Sequence, residues 1–413
     1  MANRRNAQPR ENSPFTPGQP APPEVFTGRS QEIERLRRSI LQVTGNKPQA
    51  VFIGGARGLG KSSLARFCQF ITEQDNTLVP NDVKFLCGYS ACGACDSVTD
   101  VCRLIIQGLT AKITEEDQLS KVRDFLGKYI KEATLGMRGL HVKVSLTRNK
   151  QDLEELKLNM PGAVDTLWGV VSDRKAGFMI VLDDVNGLSG KTEFANFIKS
   201  LWEELAAQPL PVLLILVGLE ERMDDLVRCH ESVGRIFDRV ILKPMPQADV
   251  ERFFETSFAS VNMVIEADAS RWLAEMSGGY PVMMHELGDA TYWEDTDGKV
   301  DSDDAISGLV EATGRVGEKY FSRQVYDAVQ SQTFRQILFH TVKDTFFPGE
   351  IRRRDLTESL PKNQANNLDN FFKRMVDLGV MVRTQQGVYR YAYPMFPVYL
   401  RMERSKQEAR KSQ

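Results

Sequence analysis

The sequence predicts an α/β fold whose parallel sheet is buried on both faces, and three observations predict it. Residues 50–53, 178–182 and 212–217 are continuous apolar runs of strand length, where a strand wet on one side would alternate. Segments with apolar residues at helical spacing separate these runs, as crossover connections between parallel strands require. A glycine-rich break at 54–60 joins the first run to a helix expected over 61–73.

The chain has 413 residues, long for one compact domain, so two or three are expected. Its hydrophobic fraction of 42% and charged fraction of 26% are those of an ordinary protein able to bury a sizeable core. The apolar run at 211–219 is far shorter than the roughly 20 residues of a membrane span. The residues after Met1 show no apolar core of a secretory signal. Six cysteines do not amount to a disulfide scaffold. The expectation is a cytoplasmic protein without membrane association.

Residues 1–23 hold six prolines and little that is apolar, so they are expected to be disordered. Order is expected from Val25 and Phe26, followed by an amphipathic helix carrying Ile33, Leu36, Ile40 and Leu41. After the strand at 50–53 and the helix at 61–73 come a strand at 83–87 and a helix at 97–112. Residues 113–175 read as mostly helical, with an alternating stretch at 140–146. Strands at 178–182, 212–217 and 240–242 complete an α/β core assigned to 24–245. The pattern over 246–319 is helical, broken at Ser277-Gly278-Gly279-Tyr280-Pro281. Residues 320–402 read as helices followed by a hairpin, and the polar tail 403–413 is expected to fray.

Chemistry enters at Gly55-Ala56-Arg57-Gly58-Leu59-Gly60-Lys61-Ser62, followed by Ser63. This is the P-loop pattern in its strand-to-helix setting. Glycines let the loop curl so that backbone N–H groups point at phosphates, and the following helix aims its positive end at the same anion. Lys61 would bridge the β- and γ-phosphates of ATP, and the Ser62 hydroxyl would join the Mg²⁺ shell. The run 178–182 ends in Asp183-Asp184, a Walker B pattern. Asp183 would hold Mg²⁺ through water and Asp184 would polarise the attacking water.

Phe26-Thr27-Gly28-Arg29-Ser30-Gln31-Glu32 resembles the box found upstream of the P-loop in AAA+ and STAND ATPases. That resemblance implies that Gly28 and Arg29 lie against adenine. Gly279 and Pro281 stand where a Gly-x-Pro of the helical lid contacts nucleotide in those families. Residues 232–240 are similar to their box before the last sheet strand, which makes Arg235 the candidate arginine finger and Arg239 the second choice. In order, these features look like an origin-recognition-like AAA+/STAND ATPase of the archaeal/bacterial type, over residues 24–400. The resemblance implies a five-stranded core sheet, a lid at 246–319, a C-terminal winged helix at 320–402 and a nucleotide-dependent homo-oligomer cycling between ATP and ADP.

Three departures modify the expectation. Asp184 stands where most AAA+ enzymes have Glu. Gly218 occupies the place of a polar sensor, with Glu220 and Glu221 further on. The lid lacks the usual second-sensor arginine, and His285 is the nearest cation candidate. A slow Mg²⁺-dependent ATPase acting as a shape switch fits these better than a fast motor.

From Tyr320 onward 16 Lys/Arg face 9 Asp/Glu, a basic module on an acidic body and a footprint of polyanion binding. A helix over 361–378 would bury Leu368, Phe371, Phe372, Met375 and Val376 and present Asn and Gln residues opposite. Asn363 would meet base edges of duplex DNA, while Arg352, Arg353, Arg354, Lys373 and Arg383 would sit on phosphates. The resulting expectation is an ATP-driven switch on DNA, as an initiator, loader or transposition-type regulator. The alternative is a STAND-type signalling or defence ATPase whose winged helix binds a protein partner or autoinhibits.

Cys87, Cys92, Cys95 and Cys102 suggest a metal site by spacing. Cys87 falls on an expected buried strand and Cys102 on an apolar helix face, which leaves two thiols, too few for a tetrahedral site. Trp168, Trp202, Trp272 and Trp293 are expected to pack in the core or lid.

Overall fold

In a computed structural model, the residues described are 12–23, 26–74, 79–80, 84–113, 130–135, 142–146, 150–208, 210–326, 328–342 and 349–411. The chain divides into two compact units. One comprises Pro20–Lys243, the other Met1–Gln19 with Pro244–Gln413.

The first unit is built on strands β1 (Gln49–Gly54), β2 (Phe85–Ala91), β3 (Ile130–Leu135), β4 (Val142–Leu146), β5 (Gly177–Asp183), β6 (Val212–Val217) and β7 (Asp238–Ile241). Five of these form one sheet in the order β2-β5-β6-β1-β7, and every pairing in it is parallel. β3 and β4 pair with each other as an antiparallel ribbon. Continuous apolar runs suit the central strands: every residue of β5 and β6 is buried, as a sheet covered on both faces demands.

Helices α1 (Ser30–Thr44), α2 (Lys61–Glu73), α3 (Val98–Thr110), α4 (Lys150–Leu158), α5 (Met160–Val171), α6 (Thr192–Ala207), α7 (Glu220–Cys229) and α8 (Val233–Ile236) complete this unit. α3, α5 and α6 bury Ile105, Ile106, Val164, Leu167, Ile198 and Leu201 against Phe52, Ile180, Leu182, Leu214 and Leu216. The Trp168 ring packs edge-on to Phe178 at 5.5 Å. Parallel register brings the C-terminal ends of β1, β5 and β6 to one edge of the sheet, where an α/β fold places its ligands.

In the second unit, helices run over Gln247–Ala259, Ala267–Ser277, Pro281–Glu294 and Ser302–Val316, then widen into a π-helix over Gly317–Tyr326. Helices Gln332–Thr341, Arg353–Ser359, Lys362–Ala365 and Leu368–Asp377 follow. A three-stranded antiparallel sheet joins Ile351–Arg352, Val388–Tyr391 and Met381–Gln385. The Phe372 and Tyr389 rings stack at 3.8 Å to fix the Leu368–Asp377 helix on that sheet.

Several expectations change here. Residues 12–23 follow a defined course: Phe15 is only 4% exposed, set among Phe253, Phe254 and Phe258 at 5.8, 6.2 and 5.1 Å. One aromatic anchor outweighs a Pro-rich composition. Residues 1–11, also expected to be disordered, lie outside the described residues. The helix expected over 361–378 is two, separated at Asn366 and Asn367, where Asn367 adopts φ −98°, ψ 0°. Val376 faces solvent instead of the core, as does Trp293. The polar tail continues a helix, Met395–Lys411, in which Arg404 pairs with Glu408 one turn on. No helix among the described residues is long and apolar enough to cross a membrane.

Candidate functional site

β1 ends at Gly54 and the chain curls through Gly55, Gly58 and Gly60, whose φ angles are 142°, 79° and 85°. Only glycine takes such angles freely. At Gly55 a Cβ would also stand 2.8 Å from Leu242 O. Leu59 is buried, while Ala56 and Arg57 face outward. α2 starts at Lys61, and its first helical bond runs from Leu64 N to Gly60 O at 2.9 Å. The N–H groups of Lys61, Ser62 and Ser63 therefore lack intrahelical acceptors and form the positive end of the helix.

Lys61 Nζ donates to Ala56 O at 2.8 Å, so its ammonium folds back over the loop. Burial holds this amine below its ordinary value, while Asp183, Asp184 and Glu221 act in the opposite sense. The P-loop lysine and both β5-tip carboxylates thus occupy one electrostatic neighbourhood.

Asp183 is 9% exposed, and its Oδ2 accepts a 2.5 Å hydrogen bond from the Tyr89 hydroxyl. Ser62 acts on the same phenol in the sense that lowers its pKa, so Tyr89 lies between the two residues expected to hold Mg²⁺. Burial, then Asp183, pushes the phenol above its ordinary value, keeping it a donor. The Arg66 guanidinium covers the Tyr89 ring at 4.4 Å. Sequence reasoning missed Tyr89 because it comes from β2, which carries no motif; the expected strand stopped at residue 87, whereas β2 runs to Ala91.

Asp184 adopts the left-handed conformation, φ 59° and ψ 55°, which turns its side chain off the strand direction. Asn186 Nδ2 donates to Asp184 Oδ1. The same amide accepts from Leu219 N at 2.8 Å through Oδ1, and Gly218 leaves room for it. The polar group missing after β6 is therefore supplied by the turn after β5.

Arg29 is buried and sits at φ 60°. Its guanidinium donates to Leu59 O at 3.0 Å and Lys243 O at 2.6 Å, with Glu32 at 3.5 Å. It thus grips the P-loop backbone from behind, while Gly28 takes a positive φ before it. Phe26 stacks on Phe67 of α2 at 4.8 Å. Ser63 Oγ accepts from Ala21 N at 3.2 Å. Arg235, on α8, is 82% exposed and only loosely paired with Glu231 at 4.0 Å. Arg239 is engaged by Asp224 at 3.1 Å.

The remaining expected contacts lie in the second unit. Gly279, at φ 74°, presents its carbonyl to Met245 N at 2.8 Å, and Pro281 begins the helix Pro281–Glu294. His285 is no cation. It is 6% exposed, its Nδ1 accepts from Thr16 N at 3.1 Å, and burial pushes its pKa down to about 4. Of the DNA-directed residues, Arg352, Arg354, Asn363, Lys373 and Arg383 are exposed. Arg353 is held in a two-pronged pair with Asp369, at 2.7 and 3.0 Å.

A family profile described as AAA ATPase domain matches residues 25–217. No curated protein sequence matches the chain significantly. Among solved structures, the chain is similar to the Walker-type ATPase PABY2304 of Pyrococcus abyssi, with 16% identity, TM-score 0.56, and 92% of this chain and 97% of that one covered. It is also similar to the ORC2 protein of Aeropyrum pernix solved in ADPNP–ADP complexes, with 14% identity, TM-score 0.59, and 94% and 93% covered. At such identities the likeness concerns the fold, and the fold is shared along nearly the whole length. The sheet order, the glycine-shaped loop before Lys61 and the aspartates across from it therefore agree with the profile match over residues 25–217, and the chain has the parallel-sheet α/β fold of P-loop NTPases.

Proposed function

We propose that this chain is a slow, Mg²⁺-dependent ATPase that changes shape with its nucleotide and acts on duplex DNA through a winged-helix module over residues 320–402. The convergence of Lys61, Ser62, Asp183 and Asp184 at one sheet edge carries the reading. The Ser62 hydroxyl and Asp183 carboxylate are hard oxygen donors, the latter held by Tyr89, a donor set that suits magnesium. Bound there, the metal would neutralise charge on the β- and γ-phosphates of ATP.

The chain's own groups do the rest. The N–H groups from Gly55 to Ser63 bind phosphate oxygens, and Lys61 leaves Ala56 O for them. Asp184, steered by Asn186, orients the attacking water. Gly28 and Arg29 bound the nucleotide in this reading, and Arg235, exposed on α8, reaches the γ-phosphate of a neighbouring copy. Calorimetry with ATP and Mg²⁺ tests the core of it: uptake by wild type and none by Lys61→Ala is expected, and equal uptake by both defeats the assignment.

Exposed Arg352, Arg354, Lys373 and Arg383, beside Asn363, support DNA as the target. Affinity for duplex DNA then falls steeply with salt, and each neutralised phosphate contact lowers the salt slope by about one. DNA binding that is absent or insensitive to salt removes this half of the reading. The engagement of Arg353 by Asp369 favours a second reading, a STAND-type ATPase whose terminal module docks a protein. Its mark is nucleotide-dependent oligomers without DNA affinity.

A further inference from the structure

Cys92-Gly93-Ala94-Cys95 forms a turn at the tip of β2, closed by Cys95 N donating to Cys92 O at 2.9 Å. A turn of this kind keeps its first and fourth Cα atoms within about 7 Å, and a disulfide needs Cα atoms roughly 4.4–6.8 Å apart. Cys92 Sγ donates to Ser90 O at 3.6 Å, and both thiols are free. Cys68, Cys87, Cys102 and Cys229 each sit within a helix or strand.

This turn leans on the tip of β5. Cys92 N donates to Asp183 O at 2.6 Å. A Cβ at Gly93 would lie 2.6 Å from Asp184 Oδ2, so glycine backbone fills the space beside that carboxylate. Lys191 Nζ donates to Asp96 O at 2.6 Å, tying the far side of the turn to the start of α6. Any change in the turn's shape is delivered to Asp183 and Asp184.

We propose that Cys92 and Cys95 are a modifiable dithiol, which hydrogen peroxide closes to a disulfide, and that closure displaces the Asp183–Asp184 tip. The effect on turnover rests on the proposed ATPase reading; the dithiol does not. Cys95 is the more accessible thiol, at 8% exposure against 2% for Cys92, and its sulfur attacks first. The peroxide O–O bond breaks, an S–O bond forms, and one water leaves with the thiol proton. Cys92 sulfur then attacks Cys95 sulfur; the S–O bond breaks, the S–S bond forms, and a second water carries off the Cys92 proton. Two thiols are oxidised and one peroxide is reduced.

The experiment treats the full chain with hydrogen peroxide, maps cysteine linkage by mass spectrometry without reduction, and measures ATP turnover before, after, and after dithiothreitol. The expected result is a loss of two hydrogens on the peptide carrying Cys92 and Cys95. Turnover at saturating ATP falls about 10- to 100-fold, the scale of a misplaced catalytic group, and dithiothreitol restores it. C95S and C92A, each compared with its own reduced rate, lose the response; having both guards against a folding defect in one. Thiols at both positions that remain alkylatable after peroxide overturn the dithiol. A disulfide that leaves turnover unchanged overturns its coupling to Asp183 and Asp184. Absence of turnover in reduced wild type strikes the ATPase reading, and the coupling is then read as lowered Mg²⁺-dependent affinity for a fluorescent nucleotide, unchanged affinity overturning it.

Discussion

The Tyr89 hydroxyl donates to Asp183 Oδ2 at 2.5 Å, so a strand without any nucleotide motif positions the carboxylate at the tip of β5. Tyr89→Phe keeps the ring under Arg66 and removes only the hydroxyl. A hydrogen bond to a charged group contributes about 1.5–3 kcal/mol, and each 1.36 kcal/mol corresponds to about tenfold in rate. Turnover is expected to fall about tenfold, and more magnesium should be needed for half-maximal rate. Unchanged magnesium dependence in steady-state assays rules Tyr89 out as a positioning residue.

Asn186 holds Asp184 on one side and the Leu219 N–H on the other. Asn186→Ala frees the carboxylate and leaves that N–H without this partner. Turnover is expected to drop about 10²-fold, the lower range for a positioned acid or base, with nucleotide affinity little altered. Equal losses in affinity and rate would instead mean that the whole edge had collapsed.

Arg29→Ala removes two donors from carbonyls of Leu59 and Lys243 and leaves Glu32 without this partner. Losing one partner of a charged, buried contact costs about 1.5–3 kcal/mol, so thermal unfolding should begin several degrees lower. Nucleotide affinity should weaken as well, because the phosphate loop loses its backing. Arg29→Lys, with one head in place of a fork, is expected to restore the melting temperature only in part. Full restoration contradicts a forked role.

Phe15 and His285 set a pH dependence. His285 accepts from Thr16 N only when neutral, and burial pushes its pKa from 6.5 down to about 4, with Asp289 opposing weakly. A folded pKa below the unfolded one means that the unfolded chain binds more protons between those values. Stability therefore falls as pH drops from about 6.5 to about 4, by roughly 3 kcal/mol in all. Denaturant melts across this range check it, and His285→Gln should flatten the slope. Phe15→Ala should cost about 3–5 kcal/mol at any pH; a negligible cost would show that residues 12–19 contribute little to the folded state.

The sheet and the glycine-shaped loop after β1 were legible because both depend on local chain features: unbroken apolar runs, and glycines at fixed spacing before Lys61. The place of Asp183 and Asp184 at the end of β5 was legible for the same reason. Tyr89 was not, since its role depends on β2 lying beside β5, a pairing of residues nearly a hundred apart in sequence. The polar group near Leu219 was sought after β6 and is supplied by Asn186, because the turn after β5 folds across that strand end. His285 looked available as a cation until Phe15 and Phe253 were seen to enclose it. Composition over 1–23 obscured Phe15, and the Asn366–Asn367 break was hidden by helical spacing that continues through it.

Lys243 is the last residue of the first unit, the point at which the polypeptide departs for the helical region. Its carbonyl shares a single guanidinium with Leu59 of the phosphate loop. A shift of the Leu59 carbonyl is therefore one side chain away from the last residue of this unit.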